Sequence, residues 1–346
     1  MRGVPLIRAS ALAPFIPFLE EVGVAIDSLL PNIGLPATGL SQPEALVPMH
    51  QVGALLHTVA RRQGLTHLGY IVGERTSIKD ALGSLGKRVA GSFSLHEALH
   101  TLVGLFPTFG TSGRLRLAVE EGRMWLRHTQ DRRIERGWRE AEQFDVMLMI
   151  DLVRLTSHRR WRPREVQLRA QREAGLEKIE ALAEARITFG NPSTGIEIPS
   201  SLLPESLVGA RPAPFGREQI DAPLPPPPPA VDFPGSVRQI VATLLRDGYP
   251  DVRQTAAAIG MSVRTLQRRL SEGGVSYSRV VERERLRAAE ELLAQPRLRI
   301  TDVAIELGYQ DLANFTHAFH RWTGLTPSEY RRHESETSYS RARRRQ

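Results

Sequence analysis

The sequence predicts an α+β N-terminal sensor-type domain joined to an all-α C-terminal domain that carries two helix-turn-helix units. Three observations lead there. Ten of the 24 prolines fall between Pro204 and Pro234 and split the chain. Before that cluster, apolar residues switch between helical and alternating spacing. After it the spacing is helical throughout and includes an internal repeat.

At 346 residues the chain has room for two or three domains. Hydrophobic residues at 41% and charged residues at 24% exclude a disordered or fibrous chain. Without cysteine there is no disulfide, thiol catalysis or Cys-ligated metal centre. Pro14, Pro17 and Glu20 interrupt the apolar N-terminus before it reaches signal-peptide length, and Asp145 and Asp151 break the apolar run 144–153. A soluble, cytoplasmic protein with no membrane partner is expected, and no cofactor is called for.

Within the N-terminal segment, Leu46, Val52, Leu55, Leu56 and Val59 sit at helical spacing. Residues 94–106 do the same, with Ser94 as N-cap and Glu97 placed for a capping box. Leu115, Leu117 and Val119 then alternate with polar residues, Glu121-Gly122 supplies a turn, and Met124, Leu126 and His128 alternate again. That pattern predicts a β-hairpin. Residues 137–157 return to helical period, while 165–169 and 186–198 read as short strands. Trp125, Trp138 and Trp161 could line a ligand pocket, although large aromatics more commonly fill a core.

The run Pro225 to Pro229 favours polyproline II. The expected organisation is therefore an N-terminal domain 1–204, a proline-rich linker 205–235, an all-α domain 236–332, and a basic tail 333–346.

The repeat decides the C-terminal reading. Ala256 precedes Gly260 by four residues, as Ala304 precedes Gly308. The small residue allows two helices to approach, and the glycine supplies the left-handed turn between them. Ser262 and Asp311 are placed to cap the second helices. Leu266/Leu270 and Phe315/Phe319 follow at i, i+4 as core pairs, 49 residues apart. Gly274-Val-Ser and Gly324-Leu-Thr-Pro form matching exits. The stretch 276–294 between the units, with Val280, Leu286, Leu292 and Leu293, is expected to connect them.

Opposite the core pair, Arg264, Gln267 and Arg268 project together in unit one. Arginine pairs with guanine O6/N7 and glutamine with adenine N6/N7. In unit two the outward set is Ala313, Asn314 and His317, with Arg321 one turn on. This smaller, less charged set predicts weaker or more shape-dependent readout. Residues 236–346 carry 19 arginines and 13 acids, against 46 basic and 38 acidic residues in the whole chain. Arg341, Arg343, Arg344 and Arg345 supply much of that excess and would add sequence-independent phosphate attraction.

The segment 236–332 resembles the DNA-binding domain of the AraC/XylS family of bacterial transcription regulators. The match runs Ala304-x-x-x-Gly308-Tyr309-x-Asp311-x-x-x-Phe315-x-x-x-Phe319, then Arg321-Trp322-Thr-Gly324-Leu-Thr-Pro327-Ser-Glu-Tyr330-Arg331. The resemblance implies seven helices, with a linking helix that holds two recognition helices against successive major-groove segments on one DNA face. It further implies promoter DNA and RNA polymerase as partners and an effector-responsive activator, repression being the variant. His317 and His320 stand where the family usually has basic residues. More weakly, 20–205 is similar to the arabinose-binding-like domain of a family subgroup that includes regulators of amino-acid catabolism. That match rests on 64–69, Phe93-Ser-Leu-x-Glu-Ala-Leu, Trp161-Arg-Pro163-Arg-Glu-Val-Gln-Leu and Ile187-Thr-Phe-Gly190-x-Pro192. It leaves the effector, a small molecule, and homodimerisation open.

One rival chemistry stands beside this. His96-Glu97-Ala98-Leu99-His100 matches H-E-x-x-H, which holds zinc when a third ligand joins two histidines one helical turn apart. The extended motif would want Gly and His where Val103 and Phe106 stand. Glu120 and Glu121 are the remaining candidate ligands, which leaves a metallopeptidase or metal-binding protein as the alternative. Ser84-x-x-Lys87 matches a short hydrolase pattern without its companion motifs.

Overall fold

The structure, a computed structural model, describes residues 2–26, 29, 42–130, 136–209 and 226–333. The chain divides into two units, Val4–Val231 and Asp232–Gln346, the latter with Met1–Gly3.

In the first unit, β1 (Leu6–Arg8) pairs antiparallel with β2 (Leu46–Pro48). Helices α1 (Phe15–Glu21), α2 (Met49–Arg62), α3 (Leu68–Glu74), α4 (Ile78–Ala81), α5 (Gly83–Ala90) and α6 (Leu95–Phe109) precede a second sheet. Its strands are β3 (Gly113–Glu120), β4 (Arg123–Gln130), β5 (Glu165–Gln167), β6 (Arg186–Thr188) and β7 (Thr194–Ile198), in the order β3-β4-β7-β5-β6. Only the β5–β6 pair is parallel. Helix α7 (Trp138–Arg154) packs on this sheet and against α3.

Most sequence-derived elements appear, with informative differences. Leu46 belongs to β2 rather than to the helix, because Pro48 holds an extended conformation and starts α2 after it. Ser94 caps α6, but Glu97 reaches back to the Phe93 N–H at 2.8 Å, one residue before the expected partner. Glu121 and Gly122, at φ +52° and +74°, make the tight hairpin turn between β3 and β4. β4 is buried on both faces at its centre. Trp125 is fully buried, with the Arg127 guanidinium stacked over it at 4.7 Å. Arg127 is itself buried, and bonds Glu120 and Gln167. The polar half of the alternation thus includes a buried arginine whose carboxylate partner, Glu120, reaches the surface.

Two glycines allow the α3–α7 crossing. A Cβ at Gly69 would overlap the Glu140 carbonyl, and one at Gly73 would overlap Met147. Buried Glu142 ties α7 to the sheet by accepting from the Arg169 and Ala170 N–H groups at 2.8 and 3.0 Å and from the Thr194 hydroxyl. The predicted linker does not start at 205. Ser206 and Leu207 bridge back to Ser94 and Thr156, and Leu207 is buried. Residues 210–225 lie outside the described residues.

The second unit is helical. Its elements are α8 (Phe233–Leu244), α9 (Val252–Ala258), α10 (Val263–Glu272), α11 (Tyr277–Leu293), α12 (Ile300–Glu306) and α13 (Leu312–Thr323), followed by a helical segment at 327–333. Short polar side chains set the starts. Asp232, Asp251, Ser262, Ser276 and Asp311 each accept a backbone N–H of the following first turn. Asp251 and Gln254 complete a capping box.

Candidate nucleic-acid interface

The interface is built from two helix pairs, α9–α10 and α12–α13. Gly260 and Gly308 turn the chain at φ +68° and +73°, a region other residues enter only with strain. Ala256 and Ala304 are buried at the crossings. Leu266, Leu270, Phe315 and Phe319 are all fully buried. Phe315 and Phe319 stack on each other at 5.7 Å and extend to Tyr309 and Tyr330 at 5.4 and 5.3 Å. Helix α11 packs against α12 of the second pair and against α8, which contacts both helices of the first, and its Tyr277 hydroxyl bonds Thr255 of α9 at 2.8 Å. Its Ala289 and Leu293 enter the second core, while Leu286 and Leu292 pack on it.

With one face of α10 committed to the core, Arg264, Gln267 and Arg268 are exposed on the other. Arg264 has no hydrogen bond or ion pair among the described residues. Arg268 leans on Glu272 at 2.8 Å, an exposed i,i+4 pair of small energetic weight that a phosphate or base can displace. Arg269, the next residue, turns inward. Its guanidinium lies 3.8 Å from the centre of the Phe233 ring and donates to the Arg2 carbonyl at 2.8 Å.

On α13, Ala313, Asn314, His317 and Arg321 are exposed. The Asn314 amide donates to Asp311 at 2.6 Å. Arg321 reaches Glu282 of α11 at 3.4 Å. This second surface is less positive than the first.

Sequence reasoning missed the clamp between the pairs. Arg285 of α11 lies between Tyr309 at 3.9 Å, in the α12–α13 turn, and Tyr249 at 5.1 Å, before α9. It also donates to the Leu307 carbonyl at 3.0 Å, at the end of α12. Burial lowers its pKa from the usual arginine value and raises that of Tyr309. Nothing in the charge pattern of α11 distinguishes Arg285 from its exposed neighbours Arg283 and Arg287. A second tie is Glu284, buried on α11, which pairs with Arg238 of α8 at 3.2 Å.

The H-E-x-x-H residues do sit on α6, with the His96 and His100 rings 4.4 Å apart. Glu97 is engaged as a helix cap, Glu120 by Arg127, and Glu121 by Arg123. Among the described residues no group of three or more His, Asp or Glu could hold a metal ion. None of their helices is long and apolar enough to cross a membrane. The arginine tail and residues 131–135 lie outside the described residues.

Comparison with known proteins finds matches in both halves of the chain. A helix-turn-helix domain model matches residues 255–333, and the model described as the arabinose-binding domain of AraC transcription regulators matches 23–207. The ornithine utilization regulator of Pseudomonas aeruginosa is 26% identical over 333 residues, 95% of this chain and 96% of that one. The regulator VqsM of the same species is 36% identical over 100 residues, 28% of this chain and 31% of that one. The solved structure of the regulator CdpR from Pseudomonas aeruginosa aligns over 93% of this chain and 98% of that one, with TM-score 0.43 and 21% identity. With its N-terminal half and its paired helix-turn-helix units both matched, the chain belongs to the AraC family of DNA-binding transcription regulators.

Proposed function

We propose that this regulator is a cytoplasmic, effector-responsive activator whose helices α10 and α13 enter successive major-groove segments of promoter DNA. In this reading Arg264, Gln267 and Arg268 read base edges from α10. Ala313, Asn314 and His317 do so from α13, with Arg321 directed at phosphate. Successive segments on one DNA face lie about one helical turn apart, roughly 34–36 Å.

The observation that carries the reading is the duplicated pair itself. Each second helix buries an i,i+4 apolar pair and leaves its polar face unoccupied. Regions 1–204 and 236–332 are assigned to effector response or dimerisation and to DNA, and RNA polymerase is the partner proposed for activation. The capping role of Glu97 favours this over the metallopeptidase alternative.

In vitro transcription with purified RNA polymerase, on a promoter located by genome-wide binding, tests the reading. It predicts more transcript from that promoter, and a loss of that gain in a double Arg264→Ala, Arg268→Ala variant. Specific DNA binding with reduced transcript would make the protein a repressor.

A further inference from the structure

The two helix-turn-helix units can be laid on each other residue by residue, because the core pairs Leu266/Leu270 and Phe315/Phe319 stand 49 positions apart. In that register Arg264 falls on Ala313, Gln267 on Thr316 and Arg268 on His317, while Thr265 falls on Asn314. The hydrogen bonds support the same register. Thr265 is tied to the cap of α10: its N–H donates to Ser262 Oγ at 3.2 Å, and the two hydroxyls lie 2.9 Å apart. Asn314 is tied to the cap of α13 in the same manner, its N–H and its Nδ2 donating to the Asp311 carboxylate at 2.7 and 2.6 Å. Asn314 is thus the counterpart of a capping residue, and Thr316 takes the place that Gln267 holds in α10.

What α13 offers at these places is unlike α10. Ala313 is exposed and Thr316 partly exposed, three residues apart and so neighbours on the helix surface. The Thr316 hydroxyl donates to the Leu312 carbonyl at 2.8 Å, so its polar group is spent inside the helix and its methyl remains. His317 lacks the guanidinium fork that takes guanine O6 and N7 together. Arg321 lies a further turn from the helix start and pairs with Glu282 at 3.4 Å. The N-terminal residues of a recognition helix are those that meet base edges. There α13 presents two methyl groups where α10 presents an arginine and a glutamine. Thymine alone carries a methyl on its major-groove edge, and alanine and threonine methyls contact it.

We propose that Ala313 and Thr316 read thymine methyl groups, so that the DNA segment under α13 is specified by A·T pairs, while the segment under α10 is specified by the polar edges of guanine and adenine. The proposal rests on the reading of α13 as a recognition helix, and within that reading it puts Thr316 in the base-reading place given to Asn314.

The test is gel-shift titration of the full chain on an operator located by genome-wide binding, with thymidines replaced one at a time by deoxyuridine, which removes the methyl and keeps the pairing. One or two positions, confined to one segment, should each lose about fourfold in affinity, the worth of one buried methyl. Thr316→Ser keeps the hydroxyl and deletes only the methyl. It should bind the thymidine operator about fourfold more weakly and no longer distinguish thymidine from deoxyuridine at one of those positions. Ala313→Arg, which gives α13 the residue that α10 has at this place, should exchange the thymine preference at the other position for guanine. It also keeps the test decisive if Thr316→Ser alters the helix. Specific binding with no deoxyuridine-sensitive position, or with sensitivity that survives undiminished in both variants, would overturn the thymine assignment alone. Absence of any specific DNA binding would overturn the regulator reading instead.

Discussion

Arg285 is the residue whose removal should separate the two helix pairs without unfolding either core. The change Arg285→Ala removes one charge-assisted hydrogen bond, to the Leu307 carbonyl at 3.0 Å, worth about 1.5–3 kcal/mol. It also removes a cation–π contact with Tyr309 at 3.9 Å, worth about 0.5–1 kcal/mol at a partly exposed site. The two overlap, and water reaches part of the freed carbonyl, so a combined loss of about 2 kcal/mol is expected at the α12–α13 turn. Hydrogen exchange should show this as roughly 30-fold faster opening of residues 303–309, with α2 and α7 unaffected. DNA binding gives the second readout. Because the stack holds both turns, the loss should be larger on a full operator than on a half-operator that engages α10 alone. Arg285→Lys keeps the charge but loses the planar fork, so it should recover only part of either effect. Unchanged exchange at 303–309 with an unchanged ratio of full- to half-operator affinity would refute the clamp.

Arg268→Ala should cost about 1–3 kcal/mol on the cognate site and relax discrimination at one base pair, measured by titration across operator variants; equal loss on every sequence would reassign it to phosphate. Truncation after His333 removes Arg341, Arg343, Arg344 and Arg345 and should weaken binding to all DNA, with the salt slope falling by about 0.9 for each phosphate no longer neutralised. The Arg123 guanidinium holds the Glu165 carboxyl below its usual value near 4.5, so the pair stabilises the fold above that pH and the benefit disappears as pH falls through the lowered pKa. Glu165→Gln should therefore be less stable than the parent at pH 7 in urea melts, with the difference closing under acid. Gly69→Ala should destabilise the first unit by about 1–3 kcal/mol, because its methyl would overlap the Glu140 carbonyl.

Local signals make much of the fold legible. The hairpin turn at Glu121-Gly122, the caps Ser94, Ser262 and Asp311, and the repeated Ala-x-x-x-Gly spacing are written within a few residues of the structure they specify. The exposed face of α10 follows from its core pair, as does the orientation that sets Arg268 outward and Arg269 inward. Non-local relations are not legible. Arg285 lies 36 residues from Tyr249 in sequence and 24 from Tyr309, and only the folded path brings the three together. Leu46 misleads because its apolar side chain fits a helical stripe, and only Pro48 reveals the strand before it.

On the proposed reading, α10 and α13 contact DNA together, as two parts of one rigid reader. Hydroxyl-radical footprinting on the natural operator and on one carrying a five-base-pair insertion between its two contacted segments measures this directly. Two protected patches about one turn apart on one DNA face are predicted for the natural site. With the insertion, one patch should disappear and affinity should fall to that of a half-operator. A single patch on the natural operator, or two patches that survive the insertion at full affinity, would show that the two helices do not read DNA as one unit.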